Sequence, residues 1–172
     1  VFTVENPTKL DALALQAEKS ALSPEEASER LYGRASVPRR TVSAYLATSQ
    51  KGRSRASYSL YWGLNCTRNR AYSFDGMQST NRAALFGVWA AVRQCAPDEQ
   101  LVIYTRSLYA IRTFCYWAGM SSVRGWDCAH GDVIEQCATQ IGSRTAAVEF
   151  RLANGESDCE PWAEARRLAK AG

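Results

Sequence analysis

The residues able to do chemistry in this 172-residue chain are few and poorly matched to one another. LVIYTRSLYAI (101–111) reads as a buried apolar strand, a polar break and a helix start, and the exposed position at the strand end is Arg106. Strand ends facing a helix are where α/β enzymes gather their ligands and catalytic carboxylates. A guanidinium at such a place stays charged and donates only, so it can hold an anion but can neither ligate a cation nor take a proton. The acids that could act instead, Asp75, Glu149, Asp158, Glu160 and Glu164, are scattered over expected loops and strand faces. His130 is the only histidine, and the cysteines at 66, 95, 115, 128, 137 and 159 include no C-x-x-C pair. Zinc needs closely spaced ligands, so no metal or other cofactor is expected from these groups. Basic residues are mostly arginine, seventeen against four lysines. That bias suits bidentate phosphate contacts, and it also follows from a GC-rich genome.

The size points to one domain with room for an extra arm. A hydrophobic fraction of 46% with five tryptophans suffices for a packed core. No apolar run approaches the roughly 18 residues a membrane-spanning helix needs. The net charge of +4 permits contact with a polyanion without requiring one. A chain this rich in core residues needs no disulfide framework, so buried free thiols in a reducing intracellular compartment are expected. The chain begins at Val1 rather than Met, which fits a processed precursor or a trimmed chain; with processing, an organelle import signal is one candidate for the removed part.

Residues 1–40 are expected to form a helical arm and linker, and 41–172 the main domain. Leu10, Leu13, Leu15 and Ala17 have helical spacing. SPEEASERLYG then offers Ser23 as N-cap, Pro24 at the first helical position, Glu26 as capping-box partner and Gly33 as a stop. RASVPRR is a linker, and the arm must dock on the domain or on a partner. From Thr41 the pattern changes to period two, with strands over 42–49, 56–63 and 69–74 joined by short turns, an antiparallel meander. In the second strand Tyr58, Leu60 and Trp62 alternate with Ser57, Ser59 and Tyr61. TNRAALFGVWAAVRQC is a helix capped by Thr80, with Leu85, Val88, Trp89 and Val92 on one stripe. Then follow the central strand 101–105, a helix over 107–118, a loop, a helix capped by Asp132 with Val133, Ile134, Cys137 and Ile141 inward, a fifth strand in AAVEFRL, and a final helix opening at Pro161.

The order β-β-β-α-β-α-α-β-α resembles the ribonuclease H-like fold, and specifically the type 1 ribonuclease H domain. SLYWG, QSTNRAAL, LVIYTRSLYAI, RGW (124–126) and AEARRLAKAG carry the likeness, over about residues 42–172. It implies an α/β domain: a five-stranded mixed sheet with β1-β2-β3 antiparallel, β4 and β5 parallel to β1, helices on its faces. It also implies cleavage of the RNA strand of an RNA–DNA hybrid by two metal ions held by four carboxylates, because Mg²⁺ prefers hard oxygen ligands. Carried onto this sequence, those positions fall on Ala47, Ala84, Arg106 and Ala163, and the assisting loop histidine falls near Ala153. Methyl groups cannot ligate a metal and a guanidinium repels one. A one-residue slip would not restore the strand sites, since it turns a side chain to the other face.

The resemblance therefore implies a catalytically degenerate member, a pseudoenzyme. Three roles compete. The first is a structural or accessory subunit bound to protein partners in a large assembly, such as a mitochondrial ribosome in the matrix or another organellar complex. The second is a non-cleaving RNA or hybrid-binding module, with Asn81 in the family's hybrid-contacting segment, Arg53, Arg55, Arg68 and Arg70 on turns beside the sheet, and Arg106 on a phosphate; against it, Asn81 is a candidate helix cap and Arg106 a candidate partner of Glu149. The third is an active nuclease using the scattered acids.

Overall fold

The computed structural model describes residues 22–153 and 160–172. The expected first helix of the arm and Asp158 lie outside them. Five strands, β1 (Thr41–Lys51), β2 (Arg55–Tyr61), β3 (Arg70–Tyr72), β4 (Gln100–Thr105) and β5 (Val148–Leu152), form one sheet in the order β3-β2-β1-β4-β5. β1–β2 and β2–β3 pair antiparallel, β1–β4 and β4–β5 parallel, which is the ribonuclease H-like arrangement. The helices are α1 (Pro24–Tyr32), α2 (Thr80–Gln94), α3 (Leu108–Arg112), α4 (Ala118–Val123), α5 (Gly131–Gly142) and α6 (Glu160–Ala171).

β2 shows how the sheet is covered. Its residues do sort onto two faces, yet everything from Ala56 to Tyr61 is buried, because helices cover both. Tyr58 and Leu60 join the main core with Leu85, Val88 and Val92 of α2. The serines face α6. Ser57 Oγ donates to the Ala169 carbonyl at 3.0 Å and Ser59 Oγ to the Ala165 carbonyl at 2.5 Å, one helical turn apart. Two buried hydroxyls thus find partners on the helix backbone, and they set where α6 lies along β2. α2 crosses the other face, and Gly87 lets it approach β1 closely: a Cβ there would collide with the Leu46 side chain. The stripe read from the sequence faces inward except Trp89, which is only partly covered and donates its indole N–H to Gln140 Oε1 at 2.9 Å. The cap of α2 is Ser79, one residue before the expected Thr80, its Oγ accepting from the Arg82 amide.

α1 forms as its capping box predicts. Ser23 Oγ accepts from the Glu26 amide at 3.2 Å, Glu26 Oε2 accepts from the Ser23 amide at 2.9 Å, and Gly33 ends the helix at φ 89°. α1 docks on the domain itself, with Ala27 in the main core. Its seat is a π-helical turn (Thr113–Trp117) between α3 and α4, where one plain helix over 107–118 was expected. Tyr32 donates to the Phe114 carbonyl at 2.8 Å, Tyr116 to the Leu22 carbonyl at 2.7 Å, and Ser28 to Cys115 Sγ at 3.3 Å. No Gly or Pro within 113–117 marks this widening; only the docked helix accounts for the contacts made there.

The linker after α1 is pinned to the start of β4. Glu99, only 4% exposed, accepts from Arg39 Nη2 at 2.7 Å and Arg40 Nε at 2.6 Å. The Arg40 hydrogen bond holds its carboxyl below the usual carboxylate range, against the opposing effect of desolvation. Arg144 donates to the carbonyls of Val92, Cys95, Ala96 and Glu99, closing the C-terminal end of α2. Of the five described cysteines, all free, Cys95, Cys115 and Cys137 are buried as expected, whereas Cys66 is partly buried and Cys128 is exposed.

The Gly87 contact gives a direct test. Leu46 is fully packed and cannot yield, so Gly87→Ala should cost about 1–3 kcal/mol, read as a lower urea midpoint with an unchanged slope.

Candidate functional site

Leu46 stands opposite Thr105 as the last pair of the parallel β1–β4 ladder; β4 ends there, with Arg106 next, while β1 continues through Ala47 to Lys51 against β2. β5 adds Ala153, whose amide donates to the Thr105 carbonyl at 2.9 Å. Arg106 is exposed, yet its guanidinium is held at two points: Nε donates to the Ala153 carbonyl at 3.2 Å, and the group lies over the Trp162 ring, 5.1 Å from the centroid. Ala47, Tyr61, Ala153, Trp162, Ala165 and Ala169 form a small buried cluster beneath α6.

The structure thus brings together Ala47, Arg106 and Ala153. Ala163 is exposed, because α6 turns Trp162 and Ala165 to the sheet instead. Ala84 is fully buried in the main core with the rest of α2, not in the cluster around Ala47. Trp162 was not singled out from the sequence. Its signal was the apolar spacing Trp162, Ala165, Ala169, which marks the inward stripe of α6.

A pair of Mg²⁺ ions needs several oxygen ligands converging within about 2.1 Å of each. The described residues at this place offer a methyl group, an indole and a guanidinium, a donor set that does not fit the ions. Nor do the other acids gather there. Glu149 lies opposite Val102, four residues before Arg106, and is engaged by Arg151 at 2.8 Å and Gln100 at 3.1 Å; it does not pair with Arg106. Glu164 pairs with Arg167 at 2.9 Å, while Asp75 and Glu160 are exposed. Among the described residues no group of three or more His, Cys, Asp or Glu could hold a metal.

The candidate binding residues separate into two places. Arg53 and Arg55 are exposed at the β1–β2 turn. The Ala56 amide beside them donates to Gln78 Oε1 at 2.9 Å, tying that turn to the segment that leads into α2 and to exposed Asn81 in its first turn. Because Ser79 supplies the cap, Asn81 is left facing outward. Arg68 is elsewhere: it donates to the Gln94 carbonyl at 2.8 Å and stacks over Trp62 at 4.2 Å, at the far end of α2, about 20 Å of helix away. Arg70, exposed on the edge strand β3, stands opposite Leu60.

One further polar group braces the start of α2. Arg82 holds Asp132 with two hydrogen bonds, at 2.9 and 3.2 Å, and its Nη1 lies 3.3 Å from His130 Nδ1. An arginine can only donate, so Nδ1 must be the unprotonated ring nitrogen. Asp132 was expected to cap α5; that position is held by His130, in the left-handed region at φ 63°, and Asp132 sits in the first turn against Arg82. The Arg82 hydrogen bond keeps the Asp132 carboxyl below its ordinary range, and burial, followed by the Arg82 charge, lowers His130.

The sheet order and helix placement define a ribonuclease H-like domain. The RNase H family model matches residues 42–158, more than half of the sequence, and the chain belongs to the ribonuclease H family. Among curated proteins it is similar to Ribonuclease H1 of Mus musculus, of Rattus norvegicus and of Homo sapiens, each 26% identical over 132 residues. The match covers 73% of this chain and 46% of each relative, so the chain spans about half the length of those proteins.

The His130 contact predicts a pH dependence. A histidine whose folded pKa is lowered binds fewer protons folded than unfolded, so stability is full above the ordinary value of about 6.5 and falls as pH drops through it. Asp132, also lowered, adds a loss at more acid pH, below about 4. Asn tolerates the left-handed conformation. His130→Asn should therefore flatten the fall in melting temperature between about pH 8 and pH 5 while leaving the more acid loss in place.

Proposed function

We propose that this is a non-cleaving ribonuclease H-like domain that serves as a structural or accessory subunit of a larger assembly. One observation carries the loss of cleavage: where the family's chemistry needs carboxylates in the first strand and at the end of the fourth, Ala47 and Arg106 follow the last β1–β4 pair, and the guanidinium is held there by Ala153 and Trp162. A cation pair gains nothing from these groups and is repelled by one of them. What is retained is the rigid part of the fold, the five-stranded sheet covered by helices, which suits a docking body. A mitochondrial ribosome or another multisubunit organellar complex, in the matrix, is the setting we propose for it.

A second reading, a non-cleaving RNA or hybrid-binding module, is favoured by one specific arrangement. Exposed Asn81 and the cationic Arg53–Arg55 turn are tied together through Gln78, in the segment that resembles the family's hybrid contact.

A labelled RNA–DNA hybrid incubated with Mg²⁺ or Mn²⁺ should yield no products above the protein-free control; metal-dependent cleavage would overturn the reading. The chain should also co-purify from native extract with stable protein partners, and recovery as a free monomer would contradict the subunit role.

A further inference from the structure

We infer that Arg106, seated on Trp162, is a metal-free phosphate site that takes a backbone phosphodiester of nucleic acid at the strand ends where the family would place its ions. The inference rests on the non-cleaving reading and deepens it by naming what the altered centre recognises.

Three features make this a built site rather than a stray surface cation. Its guanidinium is restrained at two points: Nε is used by the Ala153 carbonyl, which leaves the two Nη groups for a ligand, and Cζ lies 5.1 Å from the Trp162 ring centroid. A guanidinium restrained in this way loses less further freedom when it grips two oxygens of a phosphate. Among the described residues no carboxylate pairs with Arg106, and the acid nearest along the sheet, Glu149, is taken by Arg151 and Gln100. By contrast, several other arginines are engaged: Arg39 and Arg40 on Glu99, Arg82 on Asp132, Arg144 on carbonyls, Arg167 on Glu164. Finally, Trp162 is 3% exposed, and its indole N–H has no acceptor among the described residues. Trp162 is therefore a fixed, buried ring beside the guanidinium, while its own N–H stays out of the ligand's reach.

The surroundings favour a nucleic-acid phosphate over a small free anion. Arg53 and Arg55 are exposed on the turn that closes β1, the strand that carries Ala47, and neither forms an ion pair among the described residues, so further cations lie along the same end of the sheet. A single phosphate can use only the Arg106 fork, whereas a strand can use both places.

The test is binding of a short fluorescein-labelled RNA–DNA hybrid to the full chain, by anisotropy, in EDTA and again in Mg²⁺. We expect binding in EDTA that Mg²⁺ does not strengthen. Arg106→Ala should weaken it about three- to tenfold and reduce the slope of log affinity against log salt by about one, while Arg106→Lys, which keeps the charge without the fork, should lose less. Arg106 is exposed, and unchanged melting temperatures for both variants confirm intact folding. Inorganic phosphate should compete only at far higher concentration than unlabelled hybrid. Affinity indifferent to both substitutions, or appearing only with Mg²⁺, overturns the inference, as does binding of inorganic phosphate without any binding of hybrid. Those outcomes leave the non-cleaving reading standing, since only metal-dependent products from the same hybrid would remove that.

Discussion

Parallel pairing of β1 with β4 is the constraint on which the rest depends. With Leu46 opposite Thr105 as the last pair, β4 ends beside the middle of β1, and the residues that follow that pair, Ala47 and Arg106, become neighbours. The backbone supplies the place; the side chains decide which charge it holds. Here one strand contributes a methyl group and the other a guanidinium. Helix α6, set along β2 by the two serine hydroxyls, brings a tryptophan face to the guanidinium. Among the described residues the place thus carries a positive side chain and no carboxylate.

The same frame explains why the altered centre does not weaken the fold. Carboxylates crowded at a strand end repel one another unless cations or donors balance them. Ala47, Ala153, Ala165 and Ala169 pack as small apolar groups under α6, and Trp162 fills the remaining space. The one charge left stays at the surface, where water and a carbonyl solvate it. The buried charge that the fold does keep, Glu99, sits at the opposite end of β4, between two arginines that anchor the chain entering β1. Its role there is structural: it fixes the start of the strand pair whose other end forms the candidate site.

Much of this was legible in the sequence, for local reasons. Period-two runs gave the meander, the apolar run 101–105 the central strand, and Ser23 with Glu26 the start of α1. The strand residues of the site, Ala47 and Arg106, could be placed because strand position and facing are tied to register. Less could be read where tertiary contacts decide. On the last helix Ala163 stands at an exposed position, while packing turns Trp162 and Ala165 to the sheet, a choice that helical spacing alone does not make. The π turn at 113–117 leaves no local mark, because its partners come from α1, some eighty residues earlier. Asp132 looks like a cap on paper, yet Arg82, distant in sequence, claims its carboxylate. Arg68 reads as a free surface cation until its folded partners, Trp62 and the end of α2, are known.

The central claim is that the centre beside Arg106 excludes a divalent cation. Paramagnetic broadening by Mn²⁺ tests it most directly, with the indole N–H resonance of Trp162 as the local reporter and those of Trp62, Trp89, Trp117 and Trp126 as internal references. The account predicts that Mn²⁺ leaves Trp162 no more broadened than the other four. Selective loss of the Trp162 signal, restored by EDTA, would place a cation where the guanidinium should repel it and would contradict the account.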